Sequence, residues 1–128
     1  MNLILIVAGL VLRTALAWGS WCAPCRAEAP ALESVYRDTY PKGVSFLGIN
    51  VRDNNAAARA FQRTFGITYP SIPDTDGQII ASFRQLPPNA IPTTLILDRQ
   101  GRVAARFIGG TTKAELEPAV LALAAESA

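Results

Sequence analysis

The sequence predicts an α/β fold, with a mixed central sheet of about four strands flanked by helices. Three observations carry this. Apolar strand-like runs alternate with segments of helical periodicity. Two strand-like runs near the C-terminus, joined by a turn, read as a hairpin and add antiparallel pairing to an otherwise parallel arrangement. Cys22-Ala23-Pro24-Cys25, which holds the only two cysteines among 128 residues, stands where a strand passes into a helix. The length suits one domain with a real core. That domain is expected over residues 1–128, with residues 1–9 as an unplaced apolar segment.

Residues 1–12 are nearly all apolar, and Arg13 ends a run too short to cross a bilayer as a helix. Ala15-Leu16-Ala17 has the small residues of a signal-peptide cleavage site, but no basic residue precedes the apolar stretch. Cleavage there would also remove the strand that presents Cys22, so part of residues 10–18 is expected as a buried strand. The first nine residues fit an export segment, an extra strand or the place where the chain was cut, which leaves membrane anchoring open.

A helix is expected from Cys22 to about Tyr36, with Pro24 in its first turn and Leu32, Val35 and Tyr36 facing the sheet. Pro30 should kink it. Pro41-Lys42-Gly43 is a turn, and residues 44–51 form a strand apolar on both faces, hence central or parallel. Asp53-Asn54-Asn55 offers N-caps for a helix over residues 56–65, with Ala57, Phe61 and Phe65 as its stripe and Gly66 closing it. Residues 69–77 read as loop, followed by a short helix around Ile79, Ile80 and Phe83. Asp74, Asp76 and Gly77 faintly resemble a calcium loop but lack the far acidic ligand; a turn with a helix cap is the better reading. Residues 86–89 break the chain before a strand over 91–98 led by Pro92. Residues 99–101 turn into a second strand over 102–108. Thr112 and Glu115 form a capping-box signature for a last helix with Leu116, Val120 and Leu123 inward. Pro118 implies a kink or a later start.

Composition narrows the chemistry. Half of the residues are hydrophobic and 17% are charged, which indicates a folded globular chain. A net charge of +2 is too small to indicate nucleic acid or an anionic membrane as partner. Without histidine the chain builds no Ser-His or Cys-His pair and no histidine metal site. Two cysteines supply only half of a zinc site, so no metal and no cofactor is expected. A pair of buried structural cysteines is the remaining bland reading.

The spacing itself favours redox chemistry. Both thiols lie within one turn and can bond with little backbone movement. The first lies near the positive end of the helix dipole, which favours a thiolate over the usual thiol of pKa about 8.5. The thiolate is the form that attacks another disulfide. Cys22 is expected to be exposed at the helix start, with Cys25 shielded one turn in.

With Trp18-Gly-Ser-Trp-Cys-Ala-Pro-Cys-Arg-Ala-Glu-Ala-Pro30 and Ile91-Pro-Thr-Thr94, the chain resembles the TlpA-like branch of thioredoxins, over about residues 12–125. That branch comprises bacterial extracytoplasmic thiol–disulfide oxidoreductases. The resemblance implies a thioredoxin-like fold, with Cys22 as the attacking and Cys25 as the resolving cysteine. It implies a cis peptide bond before Pro92, beside the disulfide, leaving Ile91 backbone to pair with a substrate strand. Trp21, Ala23 and Pro24 complete the implied substrate surface, and Glu28 matches an acid that some members use to tune the cysteines. On the residues alone Glu28 reads equally well as a surface glutamate favoured by the dipole. Three departures stand out. Leu16 replaces the buried aspartate of cytosolic thioredoxins, the usual lead-in hairpin is missing, and residues 86–89 make a longer, stiffer approach to Pro92.

The function implied is exchange of a Cys22–Cys25 dithiol with client protein disulfides, as a reductant, because Ala-Pro lacks the histidine of strongly oxidising members. Client proteins and a redox-recharging partner are implied, at a periplasmic, secreted or outward-facing anchored location. A thiol peroxidase of the peroxiredoxin group is the alternative within the fold, but its Pro-x-x-x-Thr-x-x-Cys pattern meets Ala15 and Gly19 here. A non-enzymatic binding module with a structural disulfide is the third reading, separated from the first by how readily glutathione reduces the bond.

Overall fold

The computed structural model describes residues 12–84, 86, 87 and 90–126. The expectations for residues 1–9, for any strand at 10 and 11, and for part of the 86–89 break lie outside them. The elements in order are β1 (Leu12–Trp18), α1 (Ala23–Thr39), a 3-10 turn (Tyr40–Lys42), β2 (Val44–Val51), α2 (Asn55–Thr64), β3 (Ser71–Asp74), α3 (Gln78–Ala81), β4 (Thr93–Leu97), β5 (Val103–Ile108) and α4 (Lys113–Ala124).

The sheet order is β3-β2-β1-β4-β5. β1, β2 and β3 run parallel, while β4 and β5 are antiparallel to their neighbours. Among the described residues the sheet therefore has five strands rather than about four. The added strand, β3, falls in the stretch read as loop. Ser71-Ile72-Pro73-Asp74 is short and holds a proline, and an edge position is where a sheet tolerates one.

β1 lies in the middle of the sheet and is buried on both faces. On one face Leu12 and Leu16 meet Leu32 and Val35 of α1, Leu116 and Val120 of α4, and Phe46 and Ile96 of the neighbouring strands. On the other face Ala15 and Ala17 join Ile49, Val51 and Leu95, under Ile80, Phe83 and Leu86. The small residues suit the face that only a one-turn helix and an irregular segment cover.

The helices differ from expectation at their ends. α1 runs past Tyr36 to Thr39 and continues through Pro30. α2 starts at Asn55, capped by the Asn54 side chain on the Ala57 N–H at 2.9 Å, and Ala58 rather than Ala57 is buried beside Phe61. Asp74 is a cap: its two carboxylate oxygens take the Ile79 and Ile80 N–H groups at 3.0 and 2.9 Å. α4 begins at Lys113 on the Thr112 cap, so Pro118 does not delay it. Among the described residues no helix is long and apolar enough to cross a membrane.

Candidate active site

β1 ends at Trp18, and the turn Gly19-Ser20-Trp21 feeds the chain into α1. Cys22 is the N-cap of that helix. Its backbone is extended (φ −99°, ψ 113°), and its sulfur accepts the Cys25 N–H at 3.2 Å, where a serine or aspartate oxygen usually sits. Pro24 follows in the first turn, where a missing N–H costs nothing. The two sulfurs are joined in a disulfide, with Cα atoms 5.2 Å apart.

Both cysteines are buried, Cys22 at 4% and Cys25 at 2% exposure. The expected contrast between an exposed Cys22 and a shielded Cys25 is therefore corrected. Trp18, Ala29, Ala58 and Phe61 close over the pair, with Ile91 packed against them. The asymmetry lies instead in the cap. Sulfur at the Cys22 position receives an N–H bond and the helix dipole, which is the environment that stabilises a thiolate.

Trp21 is more than half exposed, yet it is fixed. Its indole N–H donates to the Val51 carbonyl at 3.0 Å, and its ring lies so close to Gly19 that a side chain there would collide with it. Ala23 and Pro24 are exposed beside it. The Ile91–Pro92 peptide bond is cis, and the Pro92 carbonyl accepts the Gly109 N–H at 2.9 Å. The fold thus brings Ile91 onto the cysteine cluster and leaves Trp21, Ala23 and Pro24 as a rim. A hollow of about 190 Å³ opens beside Ile91, walled by Ile80, Phe83 and Leu86, with Arg52 also lining it. That is below the roughly 300 Å³ where small-molecule sites begin.

Glu28 lies three residues beyond Cys25, on the same side of α1. It is no surface glutamate: 5% of it is exposed. Oε2 accepts the Thr111 N–H at 2.9 Å. Burial pushes the carboxyl up to about 7, against the opposing Thr111 bond. Burial, and secondarily the charges of Glu28 and Glu33, push the Tyr69 phenol up. The loop from β5 to α4 therefore serves two parts of the site, holding Pro92 through Gly109 and Glu28 through Thr111. Leu16 is buried in β1, so no carboxylate reaches the motif from that position.

Sequence reasoning missed the residues that hold the turn. Asp53 was expected only as a possible cap, and Asn54 takes that role. The Asp53 carboxylate instead reaches across to the strand end beside it. Oδ2 accepts the Ser20 N–H at 2.7 Å and Asn50 Nδ2 at 3.0 Å, while Oδ1 accepts Ser20 Oγ at 2.8 Å and the Asn54 N–H at 2.9 Å. Partial burial alone would raise its pKa; the donors from Asn50, Ser20 and Asn54 outweigh it and hold the carboxyl below its ordinary value. Thr111, the donor to Glu28, was missed as well. Both contacts join segments far apart in sequence, and no local pattern encodes them. Among the described residues no cluster of three or more histidine, cysteine, aspartate or glutamate side chains is placed to hold a metal ion.

Residues 12–106 match the AhpC/TSA family. The chain is 32% identical over 100 residues to the thiol-disulfide oxidoreductase ResA of Geobacillus kaustophilus (strain HTA426), covering 78% of this chain and 56% of that protein. It is 30% identical over 96 residues to ResA of Bacillus subtilis (strain 168), covering 75% and 52%. The chain spans about half the length of these curated relatives. Among solved structures, a secreted thiol-disulfide isomerase from Corynebacterium glutamicum superposes with a TM-score of 0.85 at 37% identity, covering 91% of this chain and 72% of that one. A DsbF homologue from Corynebacterium diphtheriae gives 0.80 at 38%, covering 88% and 71%. The family match spans β1 to β4 and most of β5 and includes both cysteines, and the chain belongs to the AhpC/TSA family within the thioredoxin superfamily, on its TlpA-like branch.

Proposed function

We propose that this protein is a thiol–disulfide oxidoreductase that reduces disulfides of client proteins. The observation that carries the reading is the Cys22 sulfur at the N-cap of α1, bonded to the Cys25 N–H. In the reduced protein a Cys22 thiolate attacks one sulfur of a client disulfide. The client's other sulfur leaves as a thiolate and takes a proton from solvent, and Cys22 is left in a mixed disulfide. Cys25 then passes its proton to the Glu28 carboxylate and attacks the Cys22 sulfur. The Cys22–Cys25 bond forms, the second client sulfur leaves, and Glu28 returns the proton to it. The client gains two electrons and two protons, which a recharging dithiol partner must replace. A carboxyl with a pKa of about 7 is suited to both halves of that proton transfer.

Clients would lie in extended form along the Ile91 backbone and over Trp21, Ala23 and Pro24, with the hollow beside Ile91 offering room for one side chain. The reducing direction follows from Ala23-Pro24, which adds no thiolate-stabilising group to the helix start. The potential should then lie nearer thioredoxin's value of about −270 mV than the roughly −120 mV of DsbA. A bacterial extracytoplasmic location is supported by the likeness to a C. glutamicum protein described as secreted.

Redox titration of the pair against glutathione and dithiothreitol tests both parts. A potential of about −270 mV is expected. A value near that of DsbA would reverse the direction, and a pair that fails to exchange at all would make the disulfide structural. Cys25→Ser should accumulate mixed disulfides with clients, whereas Cys22→Ser should not.

A further inference from the structure

We propose that Asp53 is a positioning residue for Cys22, acting through Ser20 and the turn that leads into α1. The inference deepens the proposed function, because it assigns a group that sets the readiness of the attacking sulfur.

The argument starts from two parallel strands that end side by side, Trp18 of β1 opposite Asn50 of β2. Beyond those ends the chain forms two turns, Gly19-Ser20-Trp21 and Arg52-Asp53-Asn54. Two bonds tie the first turn to the second, and a third ties it to the end of β2. Asp53 takes both the amide and the hydroxyl of Ser20, and the Trp21 indole donates to Val51. The remaining donors on Asp53, from Asn50 and Asn54, fix the carboxylate to the end of β2 and to its own turn. All four donors are neutral, so the group keeps its full negative charge while its two oxygens are saturated.

The second turn is itself held. Arg52 has φ 48°, a left-handed conformation that is strained for a non-glycine residue and persists only where surroundings impose it. Its N–H donates to the Asp74 carbonyl at 3.0 Å, at the end of β3. The strained residue directly precedes Asp53 and aims it at Ser20. The first turn has one further internal bond, from the Cys22 N–H to the Gly19 carbonyl at 3.2 Å. Thus the backbone on the N-terminal side of Cys22 is fixed by Asp53, and on its C-terminal side Cys22 is the cap of α1. The position of the Cys22 sulfur over the Cys25 N–H depends on both.

Two effects of Asp53 on a Cys22 thiolate have opposite signs, which makes the role testable. A nearby negative charge disfavours the thiolate, so its removal should lower the thiol pKa. Slackening the turn loosens the cap, so loss of the clamp should raise it. The other charged groups on the elements around Cys22 are Arg26, Glu28, Glu33, Arg37 and Asp38 on α1, Arg52 before α2, and Arg59 and Arg63 on α2.

The experiment measures the rate of Cys22 alkylation against pH in the reduced protein, for wild type, Asp53→Ala, Asp53→Asn and Ser20→Ala. Expected is an upward shift of the apparent thiol pKa in Asp53→Ala, with alkylation at pH 7 slowed several-fold. A smaller shift in the same direction is expected in Ser20→Ala, which loses one bond and keeps the charge. Asp53→Asn, which keeps one acceptor, should lie between wild type and Asp53→Ala. A downward shift at Asp53 would show a charge effect only and overturn the proposal. So would profiles superimposable on wild type, even in variants that melt at lower temperature. If Asp53→Ala does not fold, Ser20→Ala and Asp53→Asn decide the question alone. Alkylation requires no client, so a wild type that fails to reduce protein disulfides would sink the functional reading while this comparison still stands or falls by itself.

Discussion

Two glutamates on one helix, five residues apart, are both nearly closed to solvent and have opposite acid chemistry. Glu28 and Glu33 are 5% and 6% exposed in α1. Glu28 has one neutral partner, the Thr111 N–H, and burial dominates, raising its carboxyl to about 7. Burial is also the largest single influence on Glu33, but three donors together exceed it. The Thr68 N–H and hydroxyl lie at 2.8 and 2.6 Å and Arg37 Nε at 2.6 Å, and the carboxyl is held below its ordinary value. Glu28 lies deeper, so its charge costs more, and Glu33 has more donors; both differences push the two carboxyls apart. The first carboxyl changes charge near neutral pH, while the second is ionised there and ties α1 to the segment after α2.

The largest effect that tests this contrast is the pH dependence of stability. Below pH about 4.5, the ordinary glutamate value, Glu28 is protonated in both the folded and unfolded chain and contributes no pH dependence. Between there and about pH 7 the unfolded chain releases the proton while the folded protein keeps it, so stability falls as pH rises. Above pH 7 both states are ionised, and the accumulated loss is about 3 kcal/mol. Glu28→Gln removes the titration and still offers an acceptor to Thr111. Urea unfolding across this window should show wild type losing stability relative to Glu28→Gln, with the variant the more stable at pH 8. Parallel curves would mean that Glu28 is not held neutral by the fold. The same variant should slow the Cys25 step, which stopped-flow mixing with a client disulfide would detect as a longer-lived mixed disulfide.

Neither half of this contrast was legible from α1 alone. The sequence offered Glu28 as a dipole-favoured surface residue or a tuning acid, and its burial depends on Thr111, 83 residues away. Asp53 and Ser20 are likewise 33 residues apart and lie at the ends of two different strands. Elements whose signal is local were readable. β1 and β2 announce themselves by apolar runs buried on both faces, α1 by the Cys-x-x-Cys start, and α2 and α4 by their Asn54 and Thr112 caps. β3 was not, because four residues with a proline carry no strand period, and its pairing is supplied by β2. The burial of Cys22 failed for the same reason as that of Glu28: it is made by Phe61 and Ile91, which arrive from other elements.

A smaller effect should follow from Glu33→Ala. Three hydrogen bonds are lost, but Thr68 is exposed and Arg37 is 62% exposed, so water replaces the missing acceptor on both. The cost should be about 1–2 kcal/mol at neutral pH, seen as a lower urea midpoint with an unchanged slope. Its pH dependence runs opposite to that of Glu28. A lowered folded pKa gives stability that is present above the ordinary value of 4.5 and lost as pH falls through the folded value. Wild type should therefore lose this advantage over Glu33→Ala in acid. Cys22 alkylation profiles should coincide in the two proteins, since Glu33 takes no part in the thiol chemistry. A shifted profile would erase the functional distinction between the two carboxylates.

The smallest effect separates the charged donor on Glu33 from the neutral ones. Arg37 stands four residues after Glu33 on α1, the orientation in which an acid precedes its base and the pair favours the helix. Because the guanidinium is mostly in water, Arg37→Ala should cost only about 0.3–0.5 kcal/mol, and less as salt is added. Thr68 is then left as the donor that keeps Glu33 ionised, through one backbone and one hydroxyl bond. The acid-side stability difference between wild type and Glu33→Ala should accordingly survive in the Arg37→Ala background. Measuring both pairs in low and high salt completes the cycle. If the acid-side difference disappears once Arg37 is gone, the ion pair rather than Thr68 holds Glu33 charged, and the contrast with Glu28 reduces to the presence of one arginine.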